Sequence, residues 1–179
     1  MTDTSPALPP LTLPPAPASP DVEVADLPAA SADQGIDRLL EAFRVLQVRH
    51  ARVLASESAA HGLGVTDTRF LLHLASTEGR ASTPKQAGDL LELSTGAMTS
   101  LLDRLERHGH IERRPNPGDR RSILAHLTPS GTAVAREVGA TWAEAFREAV
   151  SPAGRTAVAI ALEGVGAALD RRHRTATAR

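Results

Sequence analysis

The chain has no cysteine among its 179 residues, which excludes disulfides, Cys-ligated zinc and thiol redox chemistry. Aromatic residues are scarce at 2%, so Leu, Val, Ile and Ala must fill any core. No stretch approaches the roughly 18 to 20 apolar residues of a membrane helix, and the first residues lack the basic and apolar blocks of a secretory signal. A cytoplasmic protein with no membrane partner is the expectation. Signatures of catalysis are missing as well. There is no nucleophile motif, P-loop or dinucleotide fingerprint, and the glycines at 62, 64, 96, 109, 118 and 131 are isolated punctuation. Neither an enzyme nor a cofactor is expected. Seven histidines raise the question of metal, but none form a His-x-x-x-His pair, and His108-Gly109-His110 straddles a helix end. No metal site is expected either.

The formal net charge of −1 averages two unlike parts. Residues 1–34 hold five acids (Asp3, Asp21, Glu23, Asp26, Asp33) and no Lys or Arg, which leaves a formal +4 on residues 35–179. The first part is rich in Pro and Ala, with Pro-Pro at 9–10 and 14–15. Its prolines oppose regular helix and its few large apolar residues cannot offset ordering entropy, so residues 1–34 are predicted to be a disordered acidic tail. A tail that competes with DNA for the basic face is the functional alternative to a plain one. Residues 35–179 are predicted to be one folded domain.

Apolar residues at 36, 39, 40, 43, 46, 53 and 54 predict a long amphipathic helix over about 36–60, ended by His61-Gly62-Leu63-Gly64. His50 falls on its apolar stripe. It is either a boundary histidine or a ligand-pocket residue. Thr66 can cap a second helix with Phe70, Leu71 and Leu74 inward, ending near Glu78-Gly79. Thr83, Pro84 and Gln86 make a capping box that opens a third, with Ala87, Leu90 and Leu91 facing in. Glu92-Leu93 is then a turn. A fourth helix begins at Ser94 or Thr95, carries Ala97, Leu101 and Leu105 on one face, and stops at Gly109. Ile111 to Arg114 reads as a strand, Pro115 to Asp119 as a turn, and Ser122 to Leu127 as the returning strand. Thr128-Pro129 opens a helix over about 129–149 with Val134, Val138, Trp142, Ala145 and Ala149 at helical spacing. Ser151-Pro152 restarts a last one over about 152–173, with Val158, Leu162, Val165 and Leu169 on its stripe.

Helix, turn, helix and two-stranded ribbon over about 66–128 outline a winged helix. Six arginines lie between Arg104 and Arg121 against three acids, Glu106, Glu112 and Asp119. Such a cationic edge suits DNA, because a helix fits the major groove and a basic ribbon tip reaches the minor groove or backbone. It is also what a merely solvated face would show. The order of the motifs separates these readings. Thr83-Pro84-Lys85-Gln86-Ala87, Ser94-Thr95-Gly96-Ala97-Met98-Thr99, Leu102-Asp103-Arg104-Leu105-Glu106, Asp119-Arg120-Arg121 and Leu127-Thr128-Pro129-Ser130-Gly131 together resemble the MarR family of bacterial transcription regulators. The resemblance covers roughly residues 36–173. The Asp-x-Arg tip followed by Leu-Thr-Pro-x-Gly is its most specific part.

The resemblance implies a mainly α fold with a small β-wing, in which the winged helix-turn-helix is flanked by N- and C-terminal dimerisation helices. It implies a homodimer on an inverted-repeat DNA operator, acting as a repressor released by a small-molecule effector. The apolar stripes outside the winged unit, which need burial, agree with two-fold assembly. Lys85, Ser94, Thr95, Gly96, Thr99, Ser100, Arg104, Arg113, Arg114, Asp119, Arg120 and Arg121 are the expected DNA-binding residues. Arg121 would enter the minor groove, with its guanidinium oriented by Asp119, and Arg120 would touch phosphate. Ser100 departs from the Arg that many relatives place there. Effector pockets in the family lie between the first helix, the second and the start of the fifth. The sequence does not fix the ligand-binding residues; His50 and Trp142 are the candidates, and Trp142 is otherwise a core or interface aromatic. The alternative is a winged-helix module that binds protein rather than DNA.

Overall fold

The computed structural model describes residues 30–119 and 121–177. Residues 1–29 of the tail predicted over 1–34, and the wing residue Arg120, lie outside the described residues. Among them are six α-helices: α1 (Ala30–Ala60), α2 (Val65–Ser76), α3 (Pro84–Leu91), α4 (Thr95–Arg107), α5 (Pro129–Ala149) and α6 (Arg155–Thr177). Three strands, β1 (Ala81–Ser82), β2 (Ile111–Pro115) and β3 (Ile123–Leu127), form an antiparallel sheet in the order β1-β3-β2.

Three boundaries differ from the sequence reading. Helix α1 begins at Ala30 rather than near 36, inside the segment assigned to the tail. No proline follows Pro28 until Pro84, and Ala and Gln carry good helix propensity. Helix α2 is capped at Gly64, not Thr66. The Gly64 N–H donates to Asp67 Oδ2 at 3.3 Å, so the capping acceptor comes from within the first turn. The ribbon has a third strand, because β1 pairs with β3 through Ala81↔His126 and Ser82↔Ala125. Two residues are too short to show alternation, yet they tie the chain ahead of α3 to the wing.

The other caps sit where the sequence puts them. Thr83 Oγ1 accepts from Gln86 N at 3.2 Å and Gln86 Oε1 accepts from Thr83 N at 3.1 Å. Glu92, with φ of 56°, ends α3 in the left-handed region, and Ser94 caps α4 by accepting from Ala97 N. Gly109 adopts φ of 72°, which reverses the chain into β2 without side-chain strain. Two inward faces are corrected. Ala87 is buried but Leu90 is 57% exposed, and in α4 the buried residues are Met98, Leu101, Leu102 and Leu105, with Ala97 exposed.

The core centres on α2, whose Phe70, Leu71 and Leu74 are fully buried. They share one cluster with Leu54 of α1, Leu101 and Leu105 of α4, Ile111, Ala125, and Val134 and Val138 of α5. Truncating such a leucine typically costs about 2–5 kcal/mol.

A tight clamp joins the winged unit to α5. Thr128 Oγ1 donates to the Gly109 carbonyl at 2.7 Å and accepts from Gly131 N at 3.1 Å, while Thr128 N donates to the His110 carbonyl at 3.1 Å. A Cβ on Gly131 would stand 2.1 Å from that His110 oxygen, which only glycine permits. This gives the Thr-Pro-x-Gly motif its physical reason. By contrast, the first half of α1 and all of α6 leave their apolar residues open: Ile36, Leu39 and Leu40 on one, Val158, Leu162, Val165 and Leu169 on the other.

Candidate nucleic-acid interface

The α3–turn–α4 corner and the wing enclose an open cleft of about 750 Å³. Lys85, Thr95, Thr99, Asp119 and Arg121 line it, together with Asn116. Lys85 is in the first turn of α3, and Thr95 and Thr99 stand one turn apart on α4, so all three side chains address the same space. Ser94 spends its hydroxyl as the N-cap, and Thr99 Oγ1 donates to the Thr95 carbonyl at 2.9 Å. Gly96 and Ser100 are exposed beside them. A Cβ on Gly96 would meet nothing within 4 Å, so the protein itself does not demand glycine there.

The wing tip is held by short polar side chains. Asn116 Oδ1 accepts from Gly118 N at 3.0 Å and its Nδ2 donates to Ser122 Oγ at 2.9 Å. Asp119 Oδ1 accepts from the backbone N–H of Arg121 at 3.0 Å. The expected guanidinium pair between Asp119 and Arg121 is replaced by this backbone bond. Asp119 therefore shapes the turn from which Arg121 projects, because an Asp two residues upstream reaches the backbone more easily than a long side chain.

Arg104, Arg113 and Arg114 are engaged within the chain. Arg104, expected at DNA, points back from α4 and grips the buried carboxylate of Asp67 through Nε at 2.8 Å and Nη2 at 2.5 Å. The hydrogen bond that Arg104 donates to Asp67 raises the Arg104 pKa above its ordinary value, against a smaller lowering by burial. Arg113 donates to Asp103 Oδ1 at 2.5 Å and lies 3.5 Å from Glu106, both on α4. Arg114 pairs with Glu112 on its own strand. The pairs of Arg104 and Arg113 fasten α2 and the wing to α4, and among the described residues Arg121 and Lys85 are the cations that line the cleft. Sequence reasoning missed Asp67, which carried no signal distinguishing it from any helix-start acid. It also missed Asn116 and Ser122, although Pro-Asn-Pro-Gly is turn chemistry.

A second, larger cleft of about 870 Å³ lies between α1, the start of α2 and the second half of α5. Phe43, Leu46, His50, Arg69, Trp142 and Phe146 are among its walls. The rings of His50 and Trp142 meet at 4.5 Å between centroids, tilted by 34°. The expected pair is thus brought together, but at the far half of the fifth helix rather than its start.

The fold and this site define a winged helix-turn-helix protein. A family model described as the MarR family matches residues 61–122. The multiple antibiotic resistance protein MarR of Salmonella typhimurium is 39% identical over 75 residues, which cover 42% of this chain and 52% of that protein. The chain therefore aligns with about half the length of this curated relative. A crystal structure of a MarR family transcription regulator, SP03579, is 26% identical with a TM-score of 0.59, covering 79% of this chain and 97% of that one. A mutant MarR from E. coli complexed with operator DNA shares the fold at 22% identity and a TM-score of 0.51, over 75% of this chain and 97% of that one. Residues 61–122 thus match the MarR family model, and the fold is shared with solved MarR-family structures.

Proposed function

We propose that this protein is a sequence-specific, DNA-binding transcriptional regulator, a homodimer whose two heads read an inverted repeat. The observation that carries the reading is the convergence of Lys85, Thr95, Thr99 and Arg121 on one cleft at the free end of α4. In this reading the start of α4 enters the major groove, where Thr95, Thr99 and Ser100 meet base edges and phosphate. Ser94 and Gly96 let the helix start approach the backbone, and Arg121 reaches the minor groove, with Arg120 beside it. Arg104 and Arg113 support the helix rather than touch DNA. Arg114 flanks the wing as a paired cation.

The dimer reading is supported by the apolar residues that α1 and α6 leave exposed, including Phe43 and Leu162 at 41% and 48%. A second copy packed on them would satisfy both helices and set the heads about 34 Å apart for half-sites one helical turn apart. The α1–α2–α5 cleft, with His50 against Trp142, is the place for a small-molecule effector that releases the protein from its operator as a repressor. No helix of the described residues is long and apolar enough to cross a membrane, and a cytoplasmic location fits a DNA partner.

Titration of fragments from the protein's own promoter region, at several salt concentrations, tests the reading. Specific binding should show a steep salt slope and survive competitor DNA. Binding that is weak, salt-insensitive or equal on all fragments would refute it.

A further inference from the structure

Two imidazoles stack where α4 hands over to the wing. The rings of His108 and His110 lie nearly parallel, 7° apart with centroids at 6.2 Å. His110 Nδ1 is 3.0 Å from Ser130 Oγ in the first turn of α5, and its carbonyl is the oxygen pressed against Gly131. The groups in contact with His110 are thus His108 from the end of α4 and Ser130 from α5; His61, in the turn between α1 and α2, lies 3.7 Å from Glu137 of α5 and acts on His110 only through its charge.

We propose that this junction is a proton-responsive joint. In mild acid His110 takes up a proton in the space it shares with Ser130 and the stacked ring of His108, and the new charge loosens the seat of the winged unit on α5. The seat depends on the hydrogen bonds of Thr128 to Gly109 and His110, which flank the same residues. Desolvation, then the neighbouring His108, then His61 hold the His110 imidazole below its usual titration range, in keeping with that crowding. The sign follows from linkage. A folded-state pKa below the ordinary value of about 6.5 gives stability that is complete above that pH. It is lost as pH falls from there through the lowered value. Ordinary carboxylates titrate about two units further down, so the response is separable from acid unfolding.

Amide hydrogen exchange of the full chain at pH 7.5 and 5.5, corrected for intrinsic rates, tests the joint without DNA. The hydrogen-bonded amides of Thr128, His110 and Gly131 should lose roughly three- to tenfold protection in acid. His108→Gln and His110→Asn, the latter keeping a polar atom for Ser130, should reduce that loss to less than about twofold. An acid response of equal size in all three proteins, or none in the wild type, would overturn the proposal. Operator titrations at the same two pH values read its regulatory consequence, which rests on the DNA-binding reading. Wild type should weaken in acid more than His110→Asn, against the general tendency of added positive charge to tighten DNA binding. A protein that binds no DNA at either pH would count against that reading alone, because exchange still judges the joint.

Discussion

Asp67 and Arg104 stand 37 residues apart and form a two-pronged ion pair that bolts the start of α2 to the last turn of α4. Asp67 is 2% exposed while Arg104 is 43% exposed, so the pair is rooted in the core and open to water on one side. The same carboxylate accepts from Gly64 N and so also starts α2.

Arg104→Ala should leave that carboxylate buried without its cation. Breaking a fully buried pair costs about 3–5 kcal/mol, and the exposure of the guanidinium brings the expected loss to about 2 kcal/mol. Arg104→Lys should recover little, because an ammonium cannot match the two-nitrogen geometry. Denaturant midpoints of the three proteins check this. Unchanged midpoints would mean that the pair adds nothing.

Arg121→Ala should cost about 1–3 kcal/mol of operator binding and flatten the salt slope by about one unit, with fold intact. Arg113→Ala should change the slope less, since its charge is already met by Asp103 and Glu106. At Asp119 two variants separate the backbone bond from charge. Asp119→Asn keeps the oxygen that accepts from Arg121 N and should bind well, whereas Asp119→Ala should bind weakly. If both bind more tightly than wild type, Asp119 acts only by repelling phosphate.

Gly131→Ala should destabilise the protein by about 1–3 kcal/mol through overpacking, because its Cβ would meet the His110 carbonyl at 2.1 Å. Gly96→Ala meets nothing within 4 Å and should keep or slightly raise thermal stability. A fall in operator affinity with that stability retained would locate close DNA approach at Gly96. Equal melting temperatures for both variants would sink the packing argument.

Leu162→Glu with Val165→Glu should produce monomers that keep most of their helical signal, as both side chains are open in the single chain at 48% and 53%. Sedimentation combined with circular dichroism distinguishes this from unfolding. A persistent dimer would place the subunit contact elsewhere.

Local chemistry was legible in the sequence wherever one or two residues suffice to specify it. Thr83 with Gln86, Ser94, Gly109 and Thr128 announce helix ends because capping acts within four residues. What escaped depends on distance along the chain. Strand β1 exists only because β3 runs beside it, and Arg104 looks like any basic helix residue until α2 brings Asp67 against it. Leu90 was misplaced because α3 has only eight residues, in which the line from Ala87 to Leu91 already supplies its inward contact. For the candidate interface the sequence named a neighbourhood, within which ion pairs set Arg104 and Arg113 apart from Arg121, which lines the cleft.

The clamp of Thr128 and Gly131 makes α5 a rigid lever. Its 21 residues span about 30 Å, with the head fixed at one end and Trp142 and Phe146 on the wall of the larger cleft towards the other. A wedge at that wall that tilts the helix by about 10° would swing the head by roughly 5 Å, a sizeable fraction of a helical turn of DNA. In the proposed dimer, a small molecule held far from the wing would therefore need no contact with DNA, nor any change within the head, to put two reading helices out of step.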